Sequence, residues 1–240
     1  MLRDYLQKKN ENYEISYMTI RKAIGFLGIG LPIVLWIGMK IRGCGFMPDS
    51  ISNYYFTRMG TVMTGTLCVV AMFLFAYRGK EKIDTIVSNF ASVFALGIAL
   101  FPNQVDFCEP NCYVVHVTST SLVMYVHFIS AGLFLLTLAG MSLFLFTRTN
   151  QIEIKKPKRN RNRVFRICGW TIVVCVAILG AYFAYTSMIK RGFEIKQFIF
   201  SFESIALVAF GIAWLTKAEI FFPDPPEDVK VDDGSKSMIN

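Results

Sequence analysis

The chain carries little charge for its length. Asp, Glu, Lys and Arg make up 18% of its 240 residues, whereas hydrophobic residues make up 54%. About a quarter of an average soluble sequence is charged, so this chain has too little polar surface to coat a water-soluble globule. The shortage of charge excludes an ordinary soluble domain and indicates a membrane protein.

Familiar catalytic signatures are also missing. The sequence has no Walker-type phosphate loop, G-x-S-x-G elbow, Rossmann glycine pattern or H-E-x-x-H helix. Nucleotide hydrolysis, serine-esterase and zincin chemistry therefore have no motif behind them. Histidine is scarce as well, with two in the whole chain. We expect no cofactor and no bound metal, and we favour a protein that is not an enzyme.

Six segments between the charges are long enough to cross hydrocarbon, which takes about 20 helical residues. They lie near residues 23–39, 59–77, 85–105, 121–147, 167–189 and 197–216. Open strands cannot lie in lipid with unpaired edges. The sequence therefore predicts an all-α polytopic membrane protein, a six-transmembrane-helix bundle. Residues 1–22 precede the bundle, and a mobile acidic tail follows at 217–240. Pro32 and four glycines in the first span predict a kink or a close helix contact.

Lys and Arg divide unequally between alternate connections, and this bias decides which side stays in the cytoplasm. The N-terminal segment, the second and fourth connections and the tail hold 19 of the 25 basic residues. Both termini are therefore predicted to be cytoplasmic, with the first, third and fifth connections outside. The inner membrane of a cell is the expected location.

The fourth connection, RTNQIEIKKPKRNRNRVFR, has eight basic residues against Glu153. A segment of this kind anchors the topology and attracts anionic head groups. Nucleic-acid binding would need stacking aromatics between the basic residues, and only Phe165 is there. We expect membrane lipids as partners and no nucleic acid.

Three cysteines fall in the outer connections. Cys108 and Cys112 form a C-x3-C pair, and a disulfide between them is expected on an oxidising face, with Cys44 as an odd thiol or an alternative partner. A zinc site is the weaker alternative, because Cys108, Cys112 and His116 supply three of the four ligands that zinc requires.

Ionisable side chains inside a span are costly, and two spans contain one. His127 is the seventh residue of the fourth span and Glu203 the seventh of the sixth, while Arg58 opens the second. All three helices enter from outside in the predicted topology. The three side chains should therefore lie at a similar depth, roughly 10 Å below the outer surface for the two seventh residues at the helical rise per residue.

The polar residues near this level predict an outward-facing pocket between helices for a lipid head group or a small polar solute. Its candidate ligand-binding residues are Ser52, Tyr55, Arg58, Asp106, His116, His127 and Glu203. The same residues could instead serve helix packing and interfacial anchoring. An oligomeric channel or membrane-disrupting effector is a further alternative, and Gly132, Ala139 and Gly140 could mediate association of a homo-oligomer.

Two segments, MPDSISNYYFTRMGTVMTGTLCVVAMFLFAYRG and YVHFISAGLFLLTLAGMSLFLFTR, resemble a family of small bacterial six-helix membrane proteins of unknown function. The chain is more distantly similar to the FRAG/DRAM/Sfk group, in which a proline-isoleucine-serine segment follows the first span. Pro48, Ile51 and Ser52 would be its counterparts here. The resemblance implies the six-helix fold and brings no catalytic residues.

A third likeness concerns alkaline-ceramidase-like membrane hydrolases, which hold zinc with three histidines beside a Ser and an Asp. Ser52, Asp106, His116 and His127 are of the matching types. Because the chain has only two histidines, a metal-dependent lipid hydrolase would need another ligand, such as Glu203. This activity is the enzymatic alternative.

Overall fold

The computed structural model describes residues 2–79, 81–103, 112, 114, 120–149, 156–188 and 195–224, with side chains from residue 17 onward. The elements within these residues are all helical, which confirms the predicted all-α class. They are α1 (Leu2–Ile41), α2 (Gly60–Ala76), α3 (Lys82–Leu100), α4 (Ser121–Gly140), α5 (Lys156–Met188) and α6 (Phe198–Lys217). A 3₁₀ helix, Ser52–Phe56, lies between α1 and α2, and a π-helical turn, Met141–Leu145, continues α4.

Five of these helices are long and apolar enough to cross a bilayer. They are α1 from Tyr17 onward, α3, α4 with its π turn, α5 and α6. The remaining helix, α2, is equally apolar in composition but has 17 residues, or about 25 Å at the helical rise. Large apolar side chains are exposed on all of them, as expected for surfaces that face lipid.

The six helices form a closed ring. Each helix packs against the next one in the chain, and α6 returns to pack against α1. Across the ring α4 touches α6, where the rings of Phe134 and Phe210 meet edge to face with centroids 6.4 Å apart. The arrangement of the helices in space therefore follows their order in the sequence.

Glycines allow α1 and α6 to approach closely. A Cβ atom placed on Gly211 would lie 2.6 Å from the backbone oxygen of Gly25, and one placed on Gly25 would lie 3.0 Å from the oxygen of Gly211. A Cβ on Gly28 would collide with the ring of Phe210. The close helix contact predicted for the first span is therefore present. Pro32 lies within α1, which continues through it as one helix.

At one end of the bundle, here called the basic end, ion pairs between side chains connect the segments. Arg148, after the π turn, bonds Glu81 at the start of α3 with 2.8 Å between the nitrogen and the carboxylate oxygen. At the opposite end lies the plug, defined as residues 43–57 between α1 and α2. The disulfide Cys44–Cys112 joins the plug to the segment that follows α3.

The basic connection differs from its prediction. Residues 156–166, expected in a loop, form the first three turns of α5. Buried Arg161 bonds the carboxylate of Asp224 at 2.7 Å and the carbonyl of Phe222 at 2.8 Å. The tail, which was predicted to be mobile from residue 217, contacts Arg161 of α5 through Glu219, Phe222 and Asp224. Residues 225–240 lie outside the described part of the chain.

We expect Gly211→Ala to destabilise the bundle by about 1–3 kcal/mol, because its methyl group would meet both Ile29 Cγ1 and the backbone of α1, and the backbone cannot move aside as a side chain can. Thermal unfolding of the purified protein in detergent measures this loss. Gly132→Ala on α4 is the matched control, since no atom lies within 4 Å of its Cβ position. Equal unfolding temperatures for the two variants would contradict the close contact.

Candidate functional site

The plug is a connecting segment that lies inside the bundle. Its first turn is made possible by Gly43, whose φ of 79° is left-handed. The amide of Gly43 donates to Lys40 O and that of Cys44 to Met39 O, which is the Schellman pattern that ends a helix. Most of the residues that follow are buried: Cys44, Pro48, Ser50, Ile51, Ser52, Tyr54, Phe56 and Thr57.

Glu203 of α6 binds the plug through its carboxylate. The amide of Ile51 donates to Oε2 at 2.6 Å, and the hydroxyl of Ser50 lies 3.2 Å from Oε1 and 3.1 Å from Oε2. Among the described residues no lysine, arginine or histidine forms an ion pair with this carboxylate. Neutral donors of the plug therefore stabilise it, as a carboxylate removed from water requires.

His127 of α4 is held from both sides. Its Nδ1 lies 2.7 Å from the carbonyl oxygen of Phe101, at the end of α3, and its Nε2 lies 2.9 Å from Ser52 Oγ. A carbonyl can only accept, so Nδ1 carries a proton and donates it. In the neutral imidazole Nε2 then accepts from the Ser52 hydroxyl. The ring is buried, and both of its nitrogens are satisfied.

The plug contacts of Glu203 and His127 are joined by a single turn of backbone. The amide of Ser52 donates to Ser50 Oγ at 3.0 Å, so the serine that binds Glu203 also supports the serine that binds His127. The resulting polar network runs from Glu203 through Ser50 and Ser52 to His127 and Phe101. It links α6, the plug, α4 and the end of α3 across the interior of the bundle.

Other contacts fix the plug in place. The Asp49 carbonyl accepts from the Phe200 amide at 2.7 Å, and the Asp49 carboxylate accepts from the Gln197 amide at 3.1 Å. Both amides belong to the unsatisfied first turn of α6, so Asp49 caps that helix from another segment. The rings of Tyr54 and Phe200 pack with centroids 5.8 Å apart.

The structure brings together three of the predicted site residues: Ser52, His127 and Glu203. Tyr55 is half-buried and Arg58 is exposed. Asp106 and His116 lie outside the described residues.

Sequence reasoning missed three members of the network as site residues: Ser50, the amide of Ile51 and the carbonyl of Phe101. The first two lie in PDSIS, a run of small polar residues between two apolar spans. That run was a usable signal for Ser50. No sequence signal pointed to the Phe101 carbonyl, because every residue has a backbone carbonyl.

The favoured disulfide partner was wrong, and the alternative partner, Cys44, forms the bond. Cys112 bonds Cys44, with 5.8 Å between their Cα atoms, and not Cys108. A cysteine forms one disulfide, so the Cys108–Cys112 pair is excluded in this structure, and Cys108 itself lies outside the described residues. The pairing across 68 residues of sequence arises because the plug folds back against the segment after α3. Cys68, Cys168 and Cys175 are free.

The Ser52–His127 pair has the form of a nucleophile with its base, and Phe101 O occupies the position of the orienting acid. Acyl transfer would also need donors for the developing oxyanion. The amides of residues 51 to 54 already donate hydrogen bonds within the structure. Their acceptors are, in order, the Glu203 carboxylate, Ser50 Oγ, Ser50 O and Ile51 O. In this structure the pair joins α4 to the plug. Among the described residues no group of three His, Cys, Asp or Glu side chains is arranged to hold a metal ion.

Comparisons with known proteins add nothing to this geometry. No family model matches the chain, and searches of curated proteins and of solved structures found no match. The function therefore has to be inferred from the polar network and its surroundings.

We expect the Ser50–Glu203 contact to couple the stabilities of its two residues. A double-mutant cycle of Ser50→Ala and Glu203→Ala, measured by unfolding in bicelles, should give an interaction energy of about 0.5–1.5 kcal/mol. Ser201→Ala is the control partner, because its hydroxyl is exposed and bonds only Gln197 O of its own helix. Additive effects of Ser50→Ala and Glu203→Ala would show that the contact is not formed.

Proposed function

We propose that the protein is a six-span protein of the bacterial inner membrane, with both termini in the cytoplasm. The position of the disulfide supports a crossing by the short helix α2. Cys44 precedes α2 and Cys112 follows α3, and their bond requires both to lie on one side of the membrane. If α3 crosses, α2 must cross back. Its 17 residues fall at the lower limit for a span.

Contacts at the two ends support the other crossings and the orientation. Glu81 with Arg148, and Arg161 with Asp224, join the even-numbered connections and the tail at the basic end. Asp49 with Gln197 joins the first and fifth connections at the plug end. The end rich in Lys and Arg is expected in the cytoplasm. A disulfide is expected on the oxidising side, away from the cytoplasm. Both criteria therefore give the same orientation, with the basic end inside and the plug end outside.

Cysteine labelling tests the orientation across α2, the shortest of the proposed spans. Arg58→Cys and Arg78→Cys place thiols at the two ends of this helix, in a background with Cys68, Cys108, Cys168 and Cys175 replaced by alanine. We expect a membrane-impermeant maleimide to label the first variant in intact spheroplasts and the second only after permeabilisation. Labelling of both from the same side would contradict a crossing by α2, and the background protein without an added cysteine is the control.

For the function itself, we propose that the plug end binds the phosphate-bearing head group of a membrane lipid, or a small solute with the same group. The observation that carries this proposal is the polar network from Glu203 to His127. A carboxylate and an imidazole within the bundle are expensive, and intramembrane ionisable residues commonly mark functional sites. Here both are used to hold one connecting segment, which supports a role for that segment in binding.

The network would act by positioning the residues that contact the ligand. The 3₁₀ helix buries Ser52, Tyr54 and Phe56, while its Asn53 and Tyr55 are only half-buried. Arg58 follows one residue after the plug and is exposed. The Asn53 amide oxygen accepts from Asn103 Nδ2 at 3.3 Å, which ties this edge to the end of α3.

The donor types at this edge match a phosphate. A guanidinium pairs with phosphate through two parallel hydrogen bonds, and a tyrosine hydroxyl can add a third. Arg58 and Tyr55 would supply these groups at the level where lipid head groups lie. Ser52, His127 and Glu203 would be positioning residues that do not touch the ligand.

We expect Arg58→Gln to lower the retention of phosphatidylethanolamine by about tenfold, since hydrogen bonds to a charged group contribute about 1.5–3 kcal/mol. Native mass spectrometry of delipidated protein titrated with this lipid measures the change. Arg58→Lys should retain part of the affinity because it keeps the charge and loses the paired geometry.

Arg42→Gln is the matched control, an exposed arginine just before the plug on the same face. Equal retention of phosphatidylethanolamine by the Arg58 and Arg42 variants would show that general surface charge explains the effect, and it would contradict a specific site at Arg58. A parallel titration with soluble glycerophosphoethanolamine separates the two ligand sources, because a lipid site needs the acyl chains for tight binding and a solute site does not.

A further inference from the structure

The first turns of α5 carry a stripe of exposed cations at the basic end, far from the plug. The stripe consists of Lys156, Arg159, Arg163 and Arg166. Their spacings of three, four and three residues place them on one face of the helix. Arg161, between them in sequence, points inward and pairs with Asp224. No acidic residue in the described part of the chain forms an ion pair with any of the four.

The same face of α5 becomes apolar immediately beyond the stripe. Ile167, Trp170 and Val174 are 60%, 61% and 52% exposed, and they follow Arg166 at helical spacing. Together with α6 they line a groove of about 580 Å³, open along its length. Its lining residues are Arg166, Ile167, Trp170, Thr171, Val174, Cys175, Phe202 and Ile205. Arg166 is the charged residue among them.

We propose that this groove and the stripe beside it form a binding site for an anionic phospholipid of the cytoplasmic leaflet. Arg163 and Arg166 would bind the phosphate, and one acyl chain would lie in the groove against Trp170 and Val174. The inference goes beyond the proposed function: it concerns the opposite end of the bundle and depends only on the membrane-spanning orientation.

Charge complementarity identifies the occupant. An uncharged or zwitterionic lipid would use the apolar groove without gaining from the adjacent cations, whereas each Lys or Arg near the surface attracts an anionic head group. An indole is also the side chain expected where head groups meet hydrocarbon, which is the level that Trp170 has if Arg166 lies among phosphates. A helix of a second copy would bring apolar residues to the groove and leave the stripe unmatched.

Quenching of Trp170 fluorescence by brominated lipids tests the proposal. The chain has three tryptophans, of which Trp214 is buried at 1% exposure and Trp36 is removed by Trp36→Phe. In this background the quenching by phosphatidylglycerol with brominated chains is compared with that by brominated phosphatidylcholine. We expect an apparent preference of about fivefold for the anionic lipid. A Trp36→Phe/Trp170→Phe variant gives the remaining signal to subtract.

Two double variants separate a specific site from general attraction. Arg163→Gln/Arg166→Gln should remove most of the preference, while Lys156→Gln/Arg159→Gln, which removes the same charge one to two turns farther from the groove, should retain most of it. Equal quenching by the two lipids in the background protein would overturn the proposal, and so would equal effects of the two double variants. Trp170 that neither lipid quenches, in a particle of dimer size, would assign the groove to a second copy and also overturn it.

The test distinguishes this inference from the proposed function. Loss of phosphatidylethanolamine retention at Arg58 involves the plug end, whereas the quenching difference depends on residues 163 and 166 at the basic end. Either result can fail while the other holds.

Discussion

Two ionisable side chains lie inside a bundle whose outer surface is apolar, and the cost of removing them from water constrains the rest of this end of the molecule. A carboxylate or an imidazole in such a place needs hydrogen-bond partners, because an unmatched polar group in a low-dielectric interior is strongly destabilising. Glu203 and His127 obtain their partners from the same short turn of the plug. The plug must therefore lie between α4 and α6, and its inward position follows from this requirement.

The plug in turn connects α6 to the end of α3, two helices that are not neighbours in the ring. Asp49 satisfies amides at the start of α6, and Cys44 carries the covalent link to the segment after α3. Each of these contacts removes an exposed backbone group or restrains a connection, so the end of the ring is closed by hydrogen bonds and one disulfide. At the basic end, Arg161 and Arg148 close the bundle with ion pairs. The two ends thus use different chemistry: a disulfide and hydrogen bonds at the plug end, and ion pairs at the basic end.

Charged residues at the basic end separate into two groups according to the face of α5 on which they lie. Arg161 is directed inward and is neutralised by the tail, which explains why a guanidinium can be buried there. The stripe from Lys156 to Arg166 is directed outward and continues into the groove between α5 and α6. The basic segment therefore combines a structural role with an available surface, although in sequence all of these cations lie within one short stretch, 156–166.

The sequence by itself determined the helical class and the approximate extent of the apolar segments, because hydrocarbon solvation acts on each segment separately and is visible in composition. It also indicated His127 and Glu203, since a polar residue is conspicuous in an apolar run. Helix ends were predicted less well. Charged residues 156–166 are compatible with both loop and helix, and only packing against the tail distinguishes the two.

The tertiary structure alone decided that Ser50 and the Phe101 carbonyl complete the network and that Cys112 pairs with Cys44. These outcomes depend on how a connecting segment folds back between distant helices. Such a path depends on many contacts between residues far apart in sequence, up to 153 residues apart for Ser50 and Glu203. A local sequence pattern therefore cannot predict it.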